Sequence, residues 1–176
     1  PLPATDRDAQ QALDGGLRLG QIRISDPAEA QAPTSRLVVR FGPHIQLLGY
    51  DLAETSVPAG RSLTLALHWQ ALSAPPSDYT VFTQLIGPDG RVWGQQDNPP
   101  QAGRYPTSAW LAGDRVVDRY LIPVRQDAPT GVYRLLVGMY TLSTGVRLPA
   151  VDEHGQRLPD DAAMLTRVHV EAASAP

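Results

Sequence analysis

The sequence contains no cysteine and no lysine. Without cysteine there is no disulfide, no thiolate metal site and no thiol nucleophile, although the compartment stays open. All positive charge rests on 15 arginines scattered along the chain, none adjacent to another, and the formal net charge is −3. Binding to nucleic acid needs a concentrated basic face that displaces counterions from phosphates, so it is not expected; nor is a polybasic membrane patch. No apolar run approaches the roughly 18–20 residues of a membrane span, and the longest, such as LLVGMY, are strand-sized, so direct membrane insertion is not expected either. No GxSxG elbow, HExxH or HxH spacing, GxGxxG or Walker-type loop occurs. The chain opens on Pro1 rather than Met, which is expected of a piece of a longer protein that carries its targeting signal elsewhere.

What is present is a dense punctuation of Pro and Gly between short runs rich in Val, Leu, Ile, Thr and Tyr, the rhythm of an all-β sandwich or barrel. The clearest run is RSLTLALHWQAL: Leu63, Leu65, Leu67 and Trp69 share one face, and Thr64, Ala66, His68 and Gln70 the other. Period two with one apolar face predicts a half-buried strand with Trp69 in the core and His68 pointing outward. YTVFTQLIG is apolar on both faces and reads as a central strand; GPDG is its hairpin turn, with RVWGQQ returning. DRVVDRYLIPV and VYRLLVGMYTL follow as strands, and AMLTRVHVEA alternates, with Met164, Val168 and Val170 set against Arg167, His169 and Glu171. At the front, LRLGQIRI and HIQLLGYDL read as strands joined by the Pro/Ala-rich SDPAEAQAPTS. The expected organisation is a mobile or short helical segment over 1–16, one β-sandwich domain over 17–171, immunoglobulin-like or jelly-roll-like, and a disordered tail over 172–176.

IQLLGYDL, PAGRSLTLALHWQAL, the long run from DYTVFTQLIG through QDNPPQAGRYPTSAWLAGDRVVDRYLIPV, and DAPTGVYRLLVGMYTLSTGVRLP together resemble a soluble bacterial β-sandwich domain. That domain is found after the membrane-spanning part of glycosyltransferase-like proteins that transfer sugars from lipid-linked donors. The resemblance runs from Ile45 to Pro149. It implies a position on the outer side of a membrane, near cell-envelope glycans, and brings with it no activity and no catalytic residue.

Ser108 and Ser143 stand in turn contexts, and the four histidines show no metal spacing, so neither a serine triad nor a catalytic zinc is expected. Asp89, Asp97, Asn98, Asp114 and Asp118 gather in sequence around one long loop without a dense acidic motif, and Asp152, Glu153, Asp160 and Asp161 read as a solvated patch. No cofactor and no metal are expected. DAPTGVYRL resembles the tyrosine corner of immunoglobulin-like sandwiches, which makes Tyr133 structural.

The long loop, QDNPPQAGRYPTSAW, carries Tyr105 and Trp110, with Trp93 just before it. One reading is that these rings pin the loop to the core. The alternative is a sugar-stacking face, with Gln95, Asp97, Asn98, Arg104 and Asp118 bonding hydroxyls. The expected function is a non-catalytic accessory domain of an extracytoplasmic, membrane-anchored glycosyltransferase-like protein. Its partners would be a cell-envelope glycan or the membrane-embedded portion of its parent. The alternatives are a structural or protein-interaction module and, less favoured, a hydrolase.

Overall fold

In a computed structural model, described for residues 31–173, alternating residues set ten strands into two sheets. They are β1 (Ser35–Phe41), β2 (Ile45–Leu52), β3 (Ser56–Pro58), β4 (Ser62–Ala71), β5 (Thr80–Ile86), β6 (Val92–Asn98), β7 (Arg115–Pro123), β8 (Gly131–Tyr140), β9 (Ala150–Asp152) and β10 (Ala163–Glu171). One sheet has the order β7-β4-β2-β1-β9; the other has β3-β10-β8-β5-β6. All pairings are antiparallel except that of β3 with β10. Taking β2, β4 and β7 as strands A, B and E, and β5, β8 and β10 as C, F and G, gives the immunoglobulin sheet division. Of the two sandwich topologies the sequence left open, this is the one observed.

Parity in β4 holds: Leu63, Leu65, Leu67 and Trp69 are buried between the sheets, where Phe41 meets the Trp69 ring edge-on at 5.7 Å. β5 is flanked on both sides and buried at six of its seven positions, because its outer face is covered as well. There the Arg147 guanidinium lies 4.2 Å from the centre of the Phe82 ring. The Tyr133 hydroxyl donates back to the carbonyl of Pro129 at 2.7 Å, closing the corner that leads into β8. The GPDG turn closes with the Gly90 amide on the Gly87 carbonyl at 3.0 Å, and Gly90 takes the positive φ that such a turn requires.

Two expectations need correction. Met164 points outward and Leu165 inward, because a bulge between Met164 and Thr166 shifts the phase of β10. His68 lies on the face opposite Trp69, yet it is buried rather than exposed, with its ring nitrogen 2.6 Å from Asp51. A strand also stands where none is expected, directly after the Pro/Ala-rich run: in β1, Leu37, Val39 and Phe41 turn towards the core and alternate with Arg36, Val38 and Arg40, the two arginines exposed. The expected helical turn near the N-terminus and the strand LRLGQIRI lie outside the described residues.

The two sheets meet along one side. Gly94 of β6 bridges to Val124, and the Arg125 amide donates to the Trp93 carbonyl at 2.8 Å, so the β6 and β7 edges nearly close on each other. The pairings of Ile45 with Ala71, Arg115 with Gln70, and Thr80 with Tyr140 then collect four connections at one end of the sandwich: 42–44, 72–79, 99–114 and 141–149. The GPDG turn and the 125–130 turn lie at the other end.

Candidate functional site

The long loop is built inward. Three prolines fix φ along it, and short 3-10 turns at Pro100–Gly103 and Thr107–Ala109 fold it back on itself. Thr107 is fully buried; its hydroxyl donates to the Ser77 carbonyl at 2.8 Å and accepts from the Tyr79 amide at 2.9 Å. The Ser108 amide reaches the Asp78 carboxylate at 3.1 Å. These bonds sew the 99–114 loop to the 72–79 loop.

Trp110 is 0 % exposed, and its indole N–H donates to the Tyr105 carbonyl at 3.0 Å. Tyr105 is half-buried against the core, its ring tilted 40° to that of Trp110, and its hydroxyl donates to Asp114 at 2.5 Å. Asp114 also receives the Leu111 amide at 2.9 Å. Both rings and their polar handles are therefore engaged within the loop.

Trp93 stands apart. It precedes Asn98 by five strand residues, about 16 Å along β6, and so lies towards the GPDG end rather than with the other two rings. It is half-buried; its N–H donates to Asp89 at 3.0 Å, and the Arg125 guanidinium sits 5.1 Å above its ring. No coplanar exposed pair forms among Trp93, Tyr105 and Trp110.

The polar residues expected beside them divide likewise. Gln95 and Asp97 bond each other on β6 at 3.0 Å, and the Tyr140 hydroxyl donates to Asp97 at 3.2 Å. Asn98 ends β6, half-buried, and the exposed Arg104 bonds the Gln101 carbonyl at 3.2 Å. Asp118 is 1 % exposed, accepting the Gln101 amide at 2.8 Å and the Tyr120 hydroxyl at 2.5 Å. Burial pushes its carboxyl up to about 6, against the pull of those two hydrogen bonds. Burial, followed by the Asp118 charge, likewise holds the Tyr120 phenol well above its usual range.

A buried carboxyl near neutrality is the usual mark of a general acid. Here, however, each carboxylate oxygen already has a donor and the group is closed to solvent, which describes a structural carboxylate. Gln101 reaches it from a left-handed conformation (φ 52°), followed by Ala102 (φ 54°) and Gly103 (φ 82°). Among the described residues, no three His, Asp or Glu side chains are grouped so as to hold a metal ion.

Sequence reasoning missed the exposed apolar side chains at the loop end. Leu72 (39 %), Leu111 (50 %), Leu142 (68 %) and Val146 (65 %) belong to three of the four connections gathered there. The last two stand on a hairpin tip that extends β8, closed by the Thr141 amide on the Val146 carbonyl at 3.0 Å. Each is an isolated apolar residue in a turn, and only the strand pairings bring them to one end.

No protein-family model matches the chain, and no curated protein matches it. Among solved structures, the CARDB domain of a Pyrococcus furiosus protein, determined in complex with di-metal ions, is similar to it: 13% sequence identity, a TM-score of 0.40, and coverage of 75% of this chain and 93% of that one.

Proposed function

We propose that the chain is a non-catalytic accessory β-sandwich domain of a membrane-anchored, glycosyltransferase-like protein. In this reading it stands outside the cytoplasm and docks through its loop end onto the membrane-embedded portion of its parent. The carrying observation is that Leu72, Leu111, Leu142 and Val146 are exposed on loops that converge at one end. Apolar side chains grouped on a surface mark a contact site more than singly scattered ones do. The choice of occupant rests on the resemblance over Ile45 to Pro149, which is to a domain that follows a membrane-spanning part.

The glycan reading is the weaker one at this loop. A pyranose needs an open ring face, and the Trp110 ring is enclosed. A direct test combines Leu111→Ser, Leu142→Ser and Val146→Ser in one protein. The melting temperature should hold, since none of the three is buried, while co-purification with the membrane portion of the parent should fall by about tenfold or more. Undiminished co-purification of the folded triple variant would refute docking through this end.

A further inference from the structure

We propose a second, independent site on the outer face of the β3-β10-β8-β5-β6 sheet, towards the GPDG end. It would bind the carboxylate or phosphate group of a ligand about the size of one sugar ring, between Arg134 and Arg167. These two residues stand directly opposite each other across β8 and β10. Residues so placed have Cβ atoms about 5 Å apart, and like charges there oppose strand pairing. Among the described strand registers, no other like-charged pair is directly opposed. Both arginines are exposed, and neither guanidinium has a hydrogen-bond or ion-pair partner among the described residues.

The two side chains form one wall of a shallow cavity of about 460 Å³. Ile86, Gly87, Pro88, Gly90 and Val132 supply the rest, so the cavity sets two cationic side chains beside apolar ones. The turn residues that line the cavity add no donor: the amides of Gly87 and Gly90 are already bonded, and Pro88 has none. Recognition therefore falls to the two guanidinium forks, whose planar N–H pairs match the oxygens of a carboxylate or phosphate. A bound anion would also relieve the repulsion between the arginines. The hollow is open to solvent, so the ring face of the ligand body would rest against its apolar residues rather than be enclosed.

The test is an amide NMR titration of the 176-residue chain at low ionic strength with glucuronate, glucose 1-phosphate and neutral glucose. One or both anionic sugars should shift the amides around Gly87, Gly90, Val132, Arg134 and Arg167, with weak, roughly millimolar affinity. Glucose should not. Glucuronate alone would identify a carboxylate site, and glucose 1-phosphate alone a phosphate site. Arg134→Gln and Arg167→Gln should each weaken binding by about tenfold while melting no lower than the parent, and Arg115→Gln should bind as the parent does. Equal shifts with glucose, no shifts with either anion, or full binding by either folded glutamine variant of the pair would overturn the proposal.

Discussion

Trp110 and Tyr105 act as one unit: the indole N–H holds the Tyr105 carbonyl, and the Tyr105 hydroxyl holds Asp114. Trp110→Ala should therefore cost about 3–5 kcal/mol in urea unfolding, and Tyr105→Phe about 1–2 kcal/mol. A Trp110→Ala protein as stable as the parent would show that the ring is not an anchor. Asp118 gives a pH signature. Its folded pKa lies above the ordinary carboxylate value of 3.8, at about 6, so between those values the folded chain binds more protons than the unfolded one. Stability should accordingly fall as pH rises through that window, by about 3 kcal/mol in all. Asp118→Asn should flatten the profile there. Asp51 works in the opposite sense at lower pH. Burial opposes its ionisation, but the Thr34 hydroxyl and amide and His68 outweigh this and bring it to about 2, so its contribution is lost as pH falls below 3.8. The Trp69 face could be read from period two alone. The protection of Asp118 could not, because its donors, Gln101 and Tyr120, reach it from a folded loop and from its own strand.

The elements differ in how plainly the sequence announces them. β4 and β8 carry long alternations, and the corner at Tyr133 has its own local pattern, so all three could be read in advance. β10 could be read only in part, since one inserted residue reverses which side chains face the core and nothing in AMLTRV marks where that residue falls. β1 does carry a period of two, with Leu37, Val39 and Phe41 on the core side, but it is short and follows directly on the Pro/Ala-rich run, which hides it. The long loop was legible as a loop, and its aromatics as anchors or platform; the choice between these required knowing where 72–79 lies, since Ser77, Asp78 and Tyr79 hold it. Its tightest point is the left-handed run at Gln101, Ala102 and Gly103. Ala102 is exposed and holds a φ of 54°. Ala102→Gly should then stabilise the protein by up to about 1 kcal/mol, since a side chain disfavours that conformation by about 1–2 kcal/mol. A loss of stability on chemical denaturation would contradict this account of the turn.

For the whole molecule, the immunoglobulin-type order gathers four connections at one end and leaves the GPDG turn at the other. The residues expected to form one site are split by that arrangement: Tyr105 and Trp110 at the loop end, Trp93 about 16 Å of strand away from Asn98. Sequence proximity had joined them because β6 leads into the loop, and a strand separates its two ends in space. The same order brings Leu72, Leu111, Leu142 and Val146 to one end and places Arg134 beside Arg167, although neither grouping is local in the sequence. The most direct test of docking through the loop end is hydrogen–deuterium exchange of the chain, alone and bound to the membrane portion of its parent. Slowed exchange confined to 72–79, 107–113 and 141–147 is the expected result. Slowed exchange on β8 and β10 with the loop end unchanged, or no change anywhere despite binding, would contradict it.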